Sequence, residues 1–511
     1  MWRTLAALPG YLAAVILLQS TSGAFRAAFG GYPDEPSHYL SGLLVHDWLL
    51  SCGPAKAFAA GYYLHLPYFA VGYWPPLFYL LEAAWMTLFG TGRPALLILA
   101  AGISALWAAT LFHLLRPRAG TWPAAAVGLA FLLLPAVEWS NRLVMTDTFY
   151  GLLCLWALVT LGRLLEAPSW SASFAFGLLA GCALLAKHNS VFLLLVAAIV
   201  PWLSGRKHLY RRPVYWTACA IPLAMWAPWL WFARHYLGVG VAGVARPSPW
   251  EVAAQISSIT ALQLTALLVP AVAGWRKLAR NGAAGLTFAL APLCFVAFLF
   301  AARVPILPRY LVPAFGLFLL AAGCSWSRGA WAAWAGFALF SVVQYEPRVR
   351  NDISPVADFV AGRATPASGS VLVPTGQEGG FIAEFARRDP SRPGRVCVRP
   401  RKLLVETNWH SGFYRLRYGT PLEIEAVLAA LPVRFVILDR ASVLPHDQLL
   451  AAALKRAPWR LARDGPYAVY ERTGPLSAWT PQALERAAGR DHAPVLSLLE
   501  NRESAQVRMS E

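Results

Sequence analysis

Residues 5–24 read LAALPGYLAAVILLQSTSGA, a stretch without a single charged side chain. Its length matches the roughly 20 apolar residues that a helix needs to cross the ~30 Å hydrocarbon core of a bilayer. Runs of similar character follow at about 95–115, 122–139, 148–165, 172–186, 190–204, 214–232, 256–275, 283–301, 308–324 and 330–344. Together they predict an α-helical polytopic membrane protein with about eleven transmembrane helices. The first run also has the parts of a secretory signal, with Arg3 before it and Ser22, Gly23 and Ala24 at its end. A retained helix is the better reading, because the segments behind it are spans and need no separate export signal. Arg3 then puts the N-terminus in the cytoplasm.

The composition agrees. Of 511 residues, 57% are hydrophobic and 14% charged, with a mean hydropathy of +0.48, which excludes a string of soluble domains. The formal charge of +18 is unevenly placed: residues 1–350 hold 23 basic and 9 acidic side chains, and residues 351–511 hold 21 and 17. The excess in the first part is dispersed in short clusters between apolar runs, as positive-inside bias requires and as a nucleic-acid-binding face does not. Residues 1–345 therefore read as a transmembrane unit and residues 346–511 as a soluble extracytoplasmic one. Seven cysteines form no CxxC pair, and five of them lie in apolar stretches. Cys52 and Cys397 fall outside the bilayer, where a bridge is open to them if that side is oxidising.

Basic loops settle the awkward segments. Trp74 to Gly90 is apolar but short, opens on Pro75 and Pro76, and contains Glu82. If it does not span, Arg116/Arg118, Arg206/Lys207/Arg211/Arg212, Arg276/Lys277/Arg280 and Arg328 all share the side of Arg3. It therefore reads as an interfacial or re-entrant helix. The same parity demands a break at Lys187, His188, Asn189 and Ser190. In the tail, 371–374, 395–398, 434–439 and 468–471 read as strands, and 421–431 and 446–455 as helices, a small α/β domain.

The first 350 residues hold so few acids that each can be inspected, and by this topology all but Glu166 lie at or near the outer face. The first outer loop carries Gly31-Tyr32-Pro33-Asp34-Glu35-Pro36-Ser37-His38-Tyr39; later ones carry Asn141 to Asp147, Lys187-His188, and Pro308-Arg309-Tyr310. Acids and bases from four loops can thus converge at one membrane surface.

This order resembles the polytopic GT-C glycosyltransferases, in particular the group of protein O-mannosyltransferases and the aminoarabinose transferase acting on lipid A. The matching features are Asp34-Glu35 followed by Tyr39, the stretch Tyr73-Trp74-Pro75-Pro76-Leu77-Phe78-Tyr79, Arg142 to Asp147 opening a span, Ala186-Lys187, and Arg309-Tyr310 opening another. The resemblance covers roughly residues 1–345 and implies inverting transfer of a sugar from a polyprenyl-phosphate donor to a lipid, glycan or protein acceptor. It also implies a bacterial-type plasma membrane and the extracytoplasmic face. A carboxylate that takes the acceptor's proton suits that chemistry, as do cations that hold the departing phosphate. Asp34 is the candidate base, with Glu35 beside it and Asp147 as a second acid. Lys187 and Arg309 are the phosphate candidates, with His188, Tyr310 and Tyr39 as further substrate-binding positions.

Each residue also has a plainer reading. Asp34 or Glu35 can cap a helix starting at Pro36, and Asp147 can cap the span behind it. Lys187 can snorkel from a short helix end, and Arg309 can anchor an interface. Trp74 stands where relatives often have a polar or basic residue before the prolines. No cofactor is expected, and a divalent metal at Asp34, His38, His46 and Asp47 is not favoured, since no Asp-x-Asp pair is present. A transporter would show charges at mid-span and paired interrupted helices in matching halves, and neither is visible.

Overall fold

The computed structural model describes residues 7–69, 73–241, 246–344, 352–364, 370–407, 414–456, 458–476 and 478–488. Arg3 and the boundary expected at 345/346 lie outside the described residues. In chain order the helices of the apolar part are α1 (Leu8–Thr21), α2 (Asp34–Ser51), α3 (Ala55–His65), α4 (Leu77–Phe89), α5 (Arg93–Ala119), α6 (Thr121–Leu133), α7 (Pro135–Asn141), α8 (Asp147–Glu166) and α9 (Trp170–Ala186). They continue with α10 (Phe192–Leu203), α11 (Pro213–Val241), α12 (Pro249–Leu264), α13 (Leu268–Ala279), α14 (Gly282–Ala302), α15 (Val312–Cys324) and α16 (Arg328–Val343). Their starts follow local chemistry. Pro135 and Pro249 sit in first turns, where the missing N–H costs nothing, and Ser248 with Glu251 forms a reciprocal capping box.

By length and apolarity, α5, α8, α14 and the stretch Pro249–Ala279 holding α12 and α13 are long enough to cross a bilayer. The pair α6 and α7 joins them if its 64° bend is one broken span. The other expected spans include shorter apolar helices, among them α1 and α9; α1, with 14 residues, covers about 21 Å. The break expected near Lys187 is present: α9 stops at Ala186, a 3₁₀ turn occupies His188–Val191, and α10 starts anew. The stretch behind Pro75 and Pro76 forms the 13-residue α4, packed along α2. Elsewhere α8 packs against α9 and α14, α9 against α11, and α13 against α15. Small residues bring these helices together: a Cβ on Gly274 would lie 1.9 Å from the Ala321 carbonyl.

The C-terminal part holds α17 (Ser354–Ala361), β1 (Val371–Leu372), α18 (Glu378–Arg388), β2 (Cys397–Val398), α19 (Pro400–Leu403), β3 (Val405–Thr407), β4 (Tyr414–Leu416), α20 (Pro421–Ala429), β5 (Phe435–Asp439), α21 (Pro445–Ala453), β6 (Trp459–Arg463), β7 (Tyr467–Arg472) and α22 (Pro481–Ala488). Five strands form one sheet in the order β2-β1-β5-β7-β6, parallel from β2 to β5 and antiparallel beyond. All four expected strands and both expected helices are there, most of them shorter than read. Strand alternation divides the core. Val371, Phe435 and Ile437 join the large cluster that continues into the transmembrane helices, and Leu372, Val436 and Leu438 join a second cluster with Ile424 and Leu428.

The sheet is tied to the first long loop through α18, which packs against α2. Phe29 N donates to Glu384 Oε1 at 3.1 Å, Arg392 Nε to Asp47 Oδ2 at 2.8 Å, and Arg399 Nη1 to the Pro67 carbonyl at 3.2 Å. Cys52 is exposed, Cys397 is buried in β2, and both are free.

Candidate active site

Asp34 and Asp147 are each the first residue of a helix, α2 and α8, and neither helix start has a side-chain cap. Their carboxylates reach cations instead. Asp34 Oδ2 accepts from Arg309 Nη2 at 2.6 Å, and Asp147 Oδ1 accepts from Lys187 Nζ at 2.5 Å. Arg309 Nη1 lies 3.8 Å from Asp147 Oδ2, so four charges from four chain segments form one alternating row, Asp34, Arg309, Asp147, Lys187. Lys187 is placed by the abrupt end of α9 in extended backbone, and Arg309 by the 3₁₀ turn Pro308–Leu311 before α15.

Burial within the row is graded. Side-chain exposure is 0% for Asp147, 7% for Arg309, 14% for Lys187 and 27% for Asp34, which makes Asp34 the member open to an incoming group. Burying paired charges is tolerable only while each keeps its partners. Two groups in the row have spare capacity: Arg309 Nε and Asp147 Oδ2 are buried without a hydrogen-bond partner. An orphaned guanidinium N–H is costly unless an acceptor arrives, and an anionic ligand oxygen would supply one. Aromatic rings wall the row. Arg309 Cζ stands 4.6 Å from the Tyr32 centroid, and Lys187 Nζ is 4.7 Å from Tyr310 and 5.0 Å from Tyr150.

Glu35, Tyr39 and His188 are not brought into the row. Helical geometry turns Glu35 about 100° from Asp34, and its Oε1 accepts from Arg93 Nε at 2.8 Å and from Val144 N at 3.3 Å. Arg93 also donates to the carbonyls of Ala24 and Arg142, at 2.5 and 2.7 Å, so this buried pair fastens the loop before Asp34 to the loop before Asp147. Burial lifts the Glu35 carboxyl above its ordinary value, with Arg93 opposing the rise. Tyr39 is fully buried, stacks on Phe29 and donates to the Thr91 carbonyl at 3.1 Å. His188 Nδ1 accepts from Trp226 Nε1 at 3.1 Å.

Asp147, expected as a second acid, is closed off from solvent and faces the two cations. Of the metal candidates, His46 and Arg392 both pair with Asp47, and among the described residues no group of three His, Cys, Asp or Glu is placed to hold an ion. A residue weighed in the sequence only as a metal candidate also borders the row. His38, one turn after Asp34, stacks on Trp74 at 4.3 Å and shares a 3.0 Å hydrogen bond with Tyr79. Burial pushes its imidazole down to about 4, so it is neutral at neutral pH. Trp74, at the position where relatives often have a polar or basic residue, thus covers a histidine.

Three comparisons bear on this arrangement. The family model described as dolichyl-phosphate-mannose-protein mannosyltransferase matches residues 74–232. The crystal structure of ArnT from Cupriavidus metallidurans bound to undecaprenyl phosphate aligns over 90% of this chain and 97% of that one, at 14% identity and a TM-score of 0.61. The same protein in the apo state aligns over 90% and 96%, at 14% identity and a TM-score of 0.59. No curated protein matches significantly. The chain is thus an integral membrane protein with the GT-C fold seen in the ArnT structures.

Proposed function

We propose that the protein is an inverting glycosyltransferase that moves a sugar from a polyprenyl-phosphate donor to an acceptor hydroxyl at the extracytoplasmic face of a bacterial-type plasma membrane. The observation that carries this reading is the row Asp34, Arg309, Asp147, Lys187, with its unsatisfied guanidinium N–H. The fold shared with ArnT, whose crystal structure is described as bound to undecaprenyl phosphate, supports the donor class. The soluble unit beyond residue 345 is extracytoplasmic in this reading.

The row suggests how the base is released. In the row the Asp34 carboxylate is engaged by Arg309 at 2.6 Å. When the donor phosphate takes the Arg309 fork, Asp34 Oδ2 is released from that hydrogen bond where the acceptor arrives. Asp34 then accepts the hydroxyl proton as the acceptor oxygen bonds to the anomeric carbon. The bond from that carbon to the phosphate oxygen breaks, and its electron pair leaves with the polyprenyl phosphate. Arg309 and Lys187 stabilise the growing charge in a partly dry site, and Asp147 keeps both cations in position. These two cations do the work a metal would otherwise do, and the scheme uses no cofactor.

The test compares envelope lipids and glycans by mass spectrometry in cells carrying either the wild-type gene or Asp34→Asn. A sugar modification present only with the wild type is the expected result. Identical profiles from wild type, Asp34→Asn and a gene deletion would end this reading.

A further inference from the structure

The C-terminal sheet has a crevice of its own. From β1 the chain crosses through α18 to β2 on one side, while β5 pairs on the other, so the carboxyl ends of β1 and β5 part at a topological switch point. Such crevices are where open α/β sheets receive ligands. Polar side chains collect there from separate elements. Thr375, just past β1, donates to Asp447 Oδ1 at 2.7 Å and lies 3.3 Å from His446 Nε2. His446 and Asp447 form the buried start of α21, and the Tyr414 hydroxyl sits 2.8 Å from His446 Nδ1. Asp439 ends β5 and lies across the exposed Gly376, where a Cβ would stand 2.4 Å from Asp439 Oδ2. The Tyr414 residue is 43% exposed.

The crevice is tied to the first long loop, which carries Asp34. Glu378, the first residue of α18, pairs with Arg399 at 2.7 Å, and that guanidinium lies over the Tyr68 ring at 4.6 Å in the first long loop. Farther along α18, Glu384 binds Phe29 N, five residues before Asp34. The carboxyl ends of the parallel strands therefore abut the loop that carries the proposed base.

We propose that this crevice is the acceptor subsite and that it holds a sugar ring, which makes the acceptor a glycan or glycolipid. The proposal rests on the glycosyltransferase reading for what happens to that sugar, but not for the binding itself. An exposed aromatic ring offers a face for the C–H side of a pyranose. The Asp439 carboxylate, acceptor-only when ionised, suits paired hydroxyls. Asp439 and Asp447 together disfavour an anion such as free phosphate.

The experiment is saturation-transfer NMR on the full chain in nanodiscs, with a panel of methyl glycosides at millimolar concentration and inorganic phosphate as a separate probe. At least one glycoside should receive saturation, and phosphate should not compete with it. The signal should fall about tenfold or more in Asp439→Asn and Tyr414→Ala. It should survive in Tyr414→Phe, which keeps the platform but loses the hydrogen bond to His446, and in Asp34→Asn. Saturation of no glycoside, or signals unchanged in folded Asp439→Asn and Tyr414→Ala, would overturn the subsite. Loss in Tyr414→Phe equal to that in Tyr414→Ala would do so too, because the tyrosine would then be a structural tie. None of these readouts requires transfer, so a failure of the glycosyltransferase reading is seen separately in the envelope profiles.

Discussion

Asp34 and Glu35 are adjacent acids with opposite surroundings, and substitution separates them. Asp34→Asn removes the exposed member of the row and leaves Arg309 facing Asp147, so the protein should stay folded and inserted. Transfer should drop by about 10²- to 10⁴-fold, the usual worth of a general base. Glu35→Gln leaves Arg93 buried without its counter-charge, an error that costs about 3–5 kcal/mol. That variant should lose thermal stability first and activity only in consequence. Turnover and unfolding temperature on both purified variants check this, and the reverse pattern would exchange their roles. Arg309 allows a finer test, because Arg309→Lys keeps the charge but loses the two-pronged fork. Hydrogen bonds to charged groups are worth about 1.5–3 kcal/mol, so donor affinity should weaken about tenfold or more, and further in Arg309→Ala. An arginine that merely anchored the interface would tolerate Lys with no change in donor dependence.

At the level of the element, α2 carries two loads, since its first residue belongs to the row and its flank is packed by α18. Glu384 on α18 accepts a hydrogen bond from Phe29 N in the loop before α2 and pairs with Arg387 and Arg388 on its own helix. Burial pushes its carboxyl upward, but the hydrogen bond and charge of Arg388, with the charge of Arg387, outweigh this and hold it below the ordinary glutamate value. A depressed folded value means that the stabilisation is fully present above the unfolded value of about 4.3 and is lost as pH falls through the folded one. The wild type should therefore lose thermal stability below about pH 4. Glu384→Gln should be less stable at neutral pH and show a shallower acid dependence, read from unfolding temperature against pH. α18 itself was not read from the sequence, because Gly379-Gly380, two poor helix formers, interrupts its start. α20 was legible, since Thr420, Pro421 and Glu423 write a capping box. The same contrast holds in the site. Asp34, Asp147, Lys187 and Arg309 stand out as charges at the edges of apolar runs. Tyr32 and Tyr150 do not, because in a chain with 13% aromatic residues a ring that walls a site looks like one that packs a core. Arg93 as the partner of Glu35 lies 58 residues away, a pairing only the fold reveals.

Across the whole molecule, the loops gather at two opposite ends, which turns the sidedness of the membrane into a single test. One end holds the starts of α2, α8 and α15, the end of α9 and, through α18, the C-terminal sheet. At the other, Arg206 donates to the carbonyls of Leu165 and Glu166, and Glu166 Oε1 accepts from Ala284 N. This second end holds a large share of the basic loops, and positive-inside bias assigns it to the cytoplasm. The proposed donor phosphate site, the proposed sugar crevice and the C-terminal unit would then all face outward together. Ser37 and Ser190, although in outer loops, are buried and would hide a probe. Exposed positions serve better: Ser51 and Ser391 at the first end, Ser171 and His208 at the second. In a cysteine-free background, single cysteines at Ser51 and Ser391 should react with an impermeant maleimide added outside intact cells. Cysteines at Ser171 and His208 should react only after the membrane is opened. Reaction at the second pair alone would invert the molecule, and reaction split within either pair would break the shared end on which the row Asp34, Arg309, Asp147, Lys187 depends.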